Sequence, residues 1–263
     1  MKLRLGELTS AEARTLFAAR PVILLPLGSH EDQGPHAPMG DYLLAERMGE
    51  LIAGEAVRLG VQALVAPVLP YGHADWFGSA PGGIALSSAT FRAVLGDVLG
   101  ALLRHGLDRI VLLNGHGGNV AAIQEVTLKL KRERGVTIPS LYLWRAARDF
   151  LPPGKPGSGH GGEPLTSLYL HLFPALVRPD LMTPPAPAAQ VLGLPVADFG
   201  QARFEGSAID LPMEYDAIAP SGVTVDPSGA SAEQGRRMAE GLTTLGARFI
   251  RHFVEQTAGE QTG

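Results

Sequence analysis

The fold is decided by the stretch Pro21-Val22-Ile23-Leu24-Leu25-Pro26-Leu27, which contains no charged or polar side chain. A short, continuous apolar run of this kind is typical of a strand that is buried on both faces of a parallel sheet. The run leads into a loop, residues 28–40, rich in Gly, Pro, His and acidic side chains, and a helical pattern follows from about Asp41 to Leu59. Strand, polar loop and helix in this order form the building unit of parallel α/β folds.

The same unit recurs three more times along the chain. Because parallel strands need crossover connections, the pattern predicts a three-layer α/β fold, with a mainly parallel sheet and helices on both faces. A short first helix, capped by Ser10, precedes the first strand. The further strands are predicted at 61–68, 109–113 and 140–144, and the helices after them at 90–105, up to about 134, and at 164–173.

The last third of the sequence has a different character. Residues 184–220 are rich in Pro and Ala and show weak periodicity, so we expect an irregular excursion there rather than a second domain. An amphipathic pattern from Ala232 to Phe253 predicts a final helix. We therefore expect residues 1–263 to form a single domain.

The composition excludes several classes of protein. The chain has 263 residues with 22 basic and 26 acidic side chains, and this balance lacks the electrostatic footprint of a nucleic-acid-binding protein. It contains no cysteine, which excludes a disulfide scaffold, a thiolate nucleophile and a thiolate metal site. No segment has the pattern of a membrane span or a signal peptide, so we expect a cytoplasmic protein without nucleic-acid or membrane partners.

The first polar loop carries candidate metal ligands. The carboxyl ends of parallel strands meet at one edge of a sheet, and ligands bind at that edge. The loop contains Glu31 and His36 and ends at Asp41. Carboxylate and imidazole groups together are the ligand chemistry of zinc, manganese or iron. The alternative is a polar surface turn in which Asp41 caps the following helix.

Two later loops carry further candidates. His116 lies between glycines in the segment 114–119, which fits neither a dinucleotide-binding pattern nor a P-loop. Its imidazole is either exposed at this turn or a capping or core group. His160 and Glu163 come just before a helix, and both are candidates for a general base or proton shuttle. Glu163 has the alternative role of stabilising the helix N-terminus.

Aromatic residues mark the expected substrate pocket. The loop 71–77 carries His73, Trp76 and Phe77, and Trp144 ends the fourth predicted strand. We expect these four side chains to line the pocket or to cover a bound small molecule, since the exclusion of water strengthens the electrostatic interactions of a site. No serine lies in a Gly-x-Ser-x-Gly elbow, which argues against a serine hydrolase.

Three motifs occur in order along the chain. They are Pro26-Leu27-Gly28-Ser29-His30-Glu31 with Gly34-Pro35-His36-Ala37-Pro38 and Asp41, then Asn114-Gly115-His116-Gly117-Gly118-Asn119, then Gly159-His160-Gly161-Gly162-Glu163-Pro164-Leu165-Thr166-Ser167. Over about residues 20–240 they resemble the signatures of the creatininase family. The resemblance implies a single α/β domain with a metal centre at the strand ends and hydrolysis of C–N bonds in small amides, while one branch of the family trims a modified peptide. It also implies a homo-oligomer, a hexamer.

Matched residue by residue, the resemblance assigns roles to four side chains. It implies that Glu31, Asp41 and His116 hold a divalent ion and that His160 transfers protons. From this we predict a metal-dependent hydrolase that acts on a C–N bond in a small amide, lactam or cyclic ureide, with Zn, Mn or Fe as cofactor. Two alternatives stay open, namely a non-catalytic metal- or ligand-binding protein of the same fold and a metal-dependent isomerase.

The chain departs from the family pattern at the second metal site. Gln33, Gly118 and Leu165 stand where family members carry histidine or glutamate. The ligand set of one ion is therefore intact, and the set of the second is depleted. His36 and Glu163 lie close in sequence to the missing ligands and are the candidates to replace them.

Overall fold

The computed structural model describes residues 2–73, 81–152, 159–186, 190–198, 200–214 and 219–259. Its centre is a sheet of four strands in the order β2-β1-β3-β4. All three pairings are parallel, and Leu24 of β1 lies beside Val65 of β2 on one side and Val111 of β3 on the other. The predicted parallel sheet is confirmed. Its strands are β1 (Val22–Leu27), β2 (Ala63–Val65), β3 (Ile110–Asn114) and β4 (Ser140–Tyr142).

Helices connect these strands and follow them. The sequence-predicted helices are all present, within a few residues of the expected bounds, and the predicted C-terminal helix is longer than expected. In the described part of the chain, no helix is both long and apolar enough to cross a bilayer. The helices are α1 (Ser10–Ala18), α2 (Asp41–Arg58), α3 (Ser88–Arg104), α4 (Asn119–Arg134), α5 (Leu143–Ala147), α6 (Leu165–Leu172) and α7 (Ala232–Gly259).

Two hydrophobic clusters lie on opposite faces of the sheet, and β1 contributes to both. Val22 and Leu24 belong to the cluster that includes residues of α2, α5, α6 and α7. Ile23, Leu25 and Leu27 belong to the other cluster, with residues of α3 and α4. Successive side chains of a strand point to opposite faces, so a strand covered on both sides must be apolar throughout. The three-layer architecture follows from this packing.

Capping and burial explain two differences from the predicted boundaries. Thr9, and not Ser10, caps α1, because its hydroxyl accepts a hydrogen bond from the Glu12 backbone while the Glu12 carboxylate accepts one from the Thr9 backbone. The fourth strand ends at Tyr142, two residues earlier than predicted. The chain then turns into α5, which buries Leu143 and Trp144 in the core.

The expectation of an irregular excursion at 184–220 is wrong in one respect, because a second sheet lies within it. Four short antiparallel strands pair in sequence order, with turns at residues 192–193 and 205–206. Sequence periodicity did not reveal them because the sheet exposes apolar side chains instead of burying one face: Leu192 is 83% exposed, Phe204 52% and Ile209 40%. The strands are β5 (Gln190–Val191), β6 (Leu194–Asp198), β7 (Gln201–Phe204) and β8 (Ser207–Asp210).

Candidate metal centre

Three side chains converge at the carboxyl edge of the central sheet. Glu31 follows β1, His116 follows β3, and Asp41 is the first residue of α2. Their ligand atoms all lie within 4.8 Å of one another. The Nδ1 atom of His116 is 3.2 Å from Glu31 Oε1 and 3.5 Å from Asp41 Oδ2. All three side chains are buried, at 8% exposure or less.

The orientation of His116 is fixed by the backbone around it. Its Nε2 donates a hydrogen bond to the carbonyl oxygen of His73, 3.1 Å away, so Nδ1 is the atom that faces the two carboxylates. The side chain of Asn114 bonds both the N–H and the carbonyl of His116, at 3.1 and 2.8 Å. Gly118 leaves room for the imidazole, because a Cβ atom at that position would lie 2.5 Å from Nε2. A bond from the second ring nitrogen to a carbonyl is the usual way in which a ligating histidine is oriented.

Asp41 is held by the loop that carries Glu31. Its Oδ1 accepts a hydrogen bond from the Ser29 backbone at 2.5 Å, and its Oδ2 accepts one from the Ser29 hydroxyl at 2.9 Å. Gly28 allows this close approach, because a Cβ atom there would lie 2.6 Å from Asp41 Oδ1. Ser29 therefore positions the carboxylate, and Oδ2 still faces His116.

Asn119 joins three loops, a role that sequence reasoning missed. Its Nδ2 donates to the Gly28 carbonyl at 3.1 Å and lies 3.4 Å from Asn114 Oδ1. Its Oδ1 accepts from the His73 backbone at 2.8 Å. The signal in the sequence was its place at the end of the 114–119 motif, but a motif does not show which backbone groups a side chain reaches.

The electrostatics of the group reflect its burial and its two carboxylates. Burial acts to raise the pKa of Glu31, but the charge and hydrogen bond of His116, together with the charge of His160 and a hydrogen bond from Ser29, outweigh this effect and hold the pKa below its usual range. For Asp41 burial prevails and the pKa is raised. Burial acts to lower the pKa of His116, yet the charges of Glu31 and Asp41 hold it well above the usual value. The imidazole therefore supplies one positive charge beside the two buried carboxylates.

Two further side chains adjoin Glu31. Gln33 is buried, and its Nε2 donates to Glu31 Oε1 at 3.2 Å. His160 places its Nδ1 4.0 Å from the same oxygen, while its Nε2 donates to the Asp32 carbonyl at 2.5 Å. Burial lowers the pKa of His160, so its imidazole is neutral with Nδ1 as the acceptor atom. This arrangement suits a proton acceptor beside the group of three.

The structure places the two predicted replacement ligands outside the group. Neither is among the residues whose ligand atoms cluster with Glu31 in the described part of the chain. His36 is buried, and its Nε2 donates to the hydroxyl of Thr166 at 3.0 Å, while that hydroxyl donates to the Gly161 carbonyl. Glu163 accepts a hydrogen bond from the Ser167 hydroxyl at 2.5 Å, near the start of α6. Both side chains are bound to α6 instead of the centre.

The predicted pocket residues have different placements. His73 is half-buried, and its Nδ1 is 3.0 Å from the Gly118 carbonyl, which puts it next to His116. Trp144 is only 5% exposed and packs in the core, with its indole N–H bonded to the Gly115 carbonyl. It supports the His116 loop from within the fold, so the expectation that it covers a substrate has no support in this placement. Trp76 and Phe77 lie outside the described residues.

Comparisons with known proteins agree with this fold. The family model of creatinine amidohydrolase matches residues 6–250. The mycofactocin precursor peptide peptidase of Mycobacterium ulcerans (strain Agy99) is 32% identical over 89% of this chain and 86% of its own. Creatinine amidohydrolase of Pseudomonas putida is 35% identical over 70% of this chain and 76% of its own.

Solved structures show the same similarity. A structure described as "Creatininase Mn" has a TM-score of 0.78 and 28% identity, and the match covers 96% of this chain and 98% of the other. A mutant creatininase of Zn-Zn type has a TM-score of 0.76 at 28% identity, with the same coverage. The family model spans nearly the whole chain and the structural match extends over the whole fold. This protein therefore belongs to the creatininase family and is a hydrolase of that family.

Proposed function

We propose that the protein is a metal-dependent hydrolase that cleaves a C–N bond in a small amide, lactam or cyclic ureide. The observation that carries the proposal is the buried group of Glu31, Asp41 and His116, whose ligand atoms lie within 4.8 Å of one another at the strand ends. These are three of the four metal ligands predicted from the sequence, the fourth being His36. Its relatives include a creatinine amidohydrolase and creatininases of Mn and Zn-Zn type.

The chemistry of the donor set fits a divalent cation. Two carboxylates lie side by side in the protein interior, and within the described residues neither forms an ion pair with a lysine or arginine. Buried carboxylates are costly unless a cation compensates them. A protonated His116 supplies only one positive charge. An ion of charge two, bound by two carboxylate oxygens and one imidazole nitrogen, balances the group with ligands that Zn, Mn and Fe accept.

Different residues of the chain would bind the metal, transfer the proton and contact the substrate. When bound, a divalent ion lowers the pKa of a coordinated water and polarises a carbonyl group. Glu31, Asp41 and His116 would hold it, with His116 using Nδ1. His160 would accept a proton at Nδ1, which faces Glu31 Oε1 at 4.0 Å, and deliver it to the departing nitrogen. His73, Trp76 and Phe77 are the proposed contacts with the substrate.

We propose that the centre holds one ion. The second set of ligands seen in the family pattern is replaced by Gln33, Gly118 and Leu165. Gln33 uses its amide to bond Glu31, and Leu165 is buried in the hydrophobic core. His36 and Glu163 instead bond residues of α6, and among the described residues only Glu31, Asp41 and His116 bring their ligand atoms within 4.8 Å of one another.

Metal analysis combined with a hydrolysis screen tests the function. The purified protein is loaded separately with Zn²⁺, Mn²⁺ and Fe²⁺, and its metal content is measured. Each form is then assayed with lactams, cyclic ureides, formamides and creatinine. We expect about one ion per chain and turnover of at least one class. Bound metal without hydrolysis favours the non-catalytic alternative, and conversion without water addition favours an isomerase.

A peptide amide is the second candidate substrate. The mycofactocin precursor peptide peptidase of Mycobacterium tuberculosis (strain CDC 1551 / Oshkosh) matches 98% of this chain at 30% identity, a broader coverage than the 70% matched by creatinine amidohydrolase. Short peptides with blocked and free C-termini belong in the same screen. If the protein cleaves peptides and none of the small amides, it is a peptidase and not a small-molecule amidase.

We further propose that the chain self-associates, as a hexamer in line with its resemblance to the family. The small antiparallel sheet exposes Leu192, Phe204 and Ile209, which gives an apolar surface for contact between copies. Sedimentation that finds only monomers would contradict this. A cytoplasmic location and the lack of nucleic-acid and membrane partners stay predictions.

A further inference from the structure

Tyr142 lies beside the candidate metal centre but belongs to none of the motifs. It is the last residue of β4, and in the pairing of β3 with β4 it lies opposite Asn114, two residues before His116. Its hydroxyl reaches toward Gly117, because a Cβ atom at position 117 would lie 3.1 Å from the hydroxyl oxygen. The phenol thus adjoins the loop that presents His116 to the two carboxylates.

The hydroxyl of Tyr142 forms no hydrogen bond with the described residues, and it is not among their fully enclosed unpaired atoms, so it is accessible from outside the core. The side chain is half-buried and packs against the core cluster, and the guanidinium of Arg145 lies 5.7 Å from the ring centroid. A tyrosine in such a setting usually finds a partner for its hydroxyl. Tyr169 does so, since its hydroxyl donates to the Gly40 carbonyl. The Tyr142 ring is held in place, and its hydroxyl is available to a bound molecule.

The charges around Tyr142 keep its hydroxyl protonated. Burial, followed by the negative charge of Asp41, raises the pKa of Tyr142 to about 12. Glu31 acts in the same direction, while Arg148 and Arg145 oppose it. The phenol is therefore a donor across the neutral pH range. Asp41 and Glu31 both raise the pKa of Tyr142, as expected for a phenol close to these two carboxylates.

We propose that Tyr142 is a substrate-binding residue whose hydroxyl donates a hydrogen bond to the carbonyl oxygen of an amide bound at the centre formed by Glu31, Asp41 and His116. The proposal rests on the proposed function, because it requires a carbonyl compound at that centre. A fixed donor directed at a carbonyl oxygen becomes more effective as negative charge develops on that oxygen. Tyr142 therefore favours substrates whose carbonyl faces the end of β4.

A binding experiment with a metal-chelating carbonyl compound tests this without turnover. Acetohydroxamic acid is titrated calorimetrically into zinc-loaded wild type and into zinc-loaded Tyr142→Phe. We expect equal zinc content and equal melting temperature for the two proteins, but about tenfold weaker acetohydroxamate binding by the variant, as one neutral hydrogen bond implies. The matched control is Tyr169→Phe. It also removes one hydroxyl, but it leaves the Gly40 carbonyl without its partner, so its melting temperature falls.

The outcomes separate this proposal from the proposed function. Equal acetohydroxamate affinity in wild type and Tyr142→Phe overturns the role of Tyr142, while zinc binding by both still supports the metal centre. A Tyr142→Phe variant that loses zinc or melts at a lower temperature shows a structural hydroxyl and also overturns it. Wild-type protein that binds no zinc, manganese or iron overturns the proposed function, and the role of Tyr142 with it.

Discussion

The side-chain amide of Asn119 donates a hydrogen bond to the carbonyl oxygen of Gly28, 3.1 Å away, although 91 residues separate the two along the chain. This bond connects the first turn of α4 to the loop that leads from β1 to Glu31. The same side chain also accepts from the His73 backbone. The fully buried Asn119 therefore contributes to the relative position of Glu31 and His116.

Replacing Asn119 with alanine should damage both stability and metal binding. The change leaves the Gly28 carbonyl and the His73 N–H without partners in the interior, which should lower the free energy of unfolding by about 2–4 kcal/mol. Metal affinity should fall about 10–100-fold, since the loops that carry the ligands lose their connection. Denaturant unfolding of the metal-free protein and zinc titration measure the two effects. Gln124→Ala, on the exposed side of α4, is the control and should change neither.

The two histidines next to Glu31 should respond differently to removal. His116→Ala deletes an atom 3.2 Å from one carboxylate and 3.5 Å from the other, and the ion should no longer bind. His160→Ala should keep the ion and lose about 10²–10⁴ in turnover, the usual cost of removing a general base. Metal stoichiometry and single-turnover rates on the two variants separate these roles. Retention of metal by His116→Ala together with its loss from His160→Ala would show that the assignments are reversed.

Glu163 offers a further comparison. Because its carboxylate bonds Ser167 and lies outside the group of three, Glu163→Gln should leave the metal stoichiometry unchanged. Glu31→Gln is the matched substitution inside the group, and it should abolish binding. A lower metal content in Glu163→Gln would mean that Glu163 serves a second ion, against the proposal of one ion per chain.

Gly118→Ala should disable the centre by displacing a ligand. A Cβ atom there would lie 2.5 Å from His116 Nε2 and 2.6 Å from the His73 carbonyl, so the hydrogen bond that orients the imidazole cannot persist. We expect zinc affinity to fall about 10–100-fold. Gly96→Ala is the control, because position 96 lies in α3 with open space around it, and alanine there should raise stability by about 0.5–1 kcal/mol. Unchanged zinc affinity in Gly118→Ala would contradict the orienting role.

The sheet and the meeting of its polar loops at one edge could be predicted because both follow from one rule, whereas the choice of Glu31, Asp41 and His116 as ligands came from the resemblance to the family. A strand covered on both faces must be apolar throughout, as β1 is, and the ends of parallel strands share an edge. Side-chain directions do not follow from that rule. His36 lies five residues after Glu31 in the sequence, yet its imidazole bonds Thr166 on α6. His36 was therefore predicted as a ligand because it is close to Glu31 in the sequence, but in the fold its side chain points to α6.

The small antiparallel sheet was missed for the opposite reason, since it follows no burial pattern. Its register is set by tight turns, with positive φ at Gly193, Gly200 and Gly206, and not by an apolar face. The placement of Trp144 could not be predicted from the sequence either, because an indole that follows a strand can cover a ligand or fill the core. Here its N–H bonds the Gly115 carbonyl from inside the fold. The sequence alone does not distinguish an indole that covers a ligand from one that fills the core.

Metal binding should depend on pH through His116. Burial acts to lower its pKa, but Glu31 and Asp41 outweigh that effect in the metal-free protein and hold the pKa well above the usual value. Below that pKa the Nδ1 proton competes with the ion, so the apparent affinity should fall as the pH falls, by about tenfold per pH unit for one displaced proton. Above that pKa this dependence should disappear.

Calorimetric zinc titrations in two buffers of different ionisation enthalpy measure the released proton. We expect release of about one proton per ion at neutral pH, because the pKa of His116 is raised. His160→Ala is the matched control: burial lowers the pKa of His160, which is already neutral, so its removal should not change the proton count. Zinc binding with no proton release at any pH between 6 and 8, where roughly one proton is expected, would show that Nδ1 of His116 carries no proton in the free protein. The same outcome would show that Asp41, although burial raises its pKa, holds no proton at that pH, because zinc binding to its carboxylate would displace that proton as well.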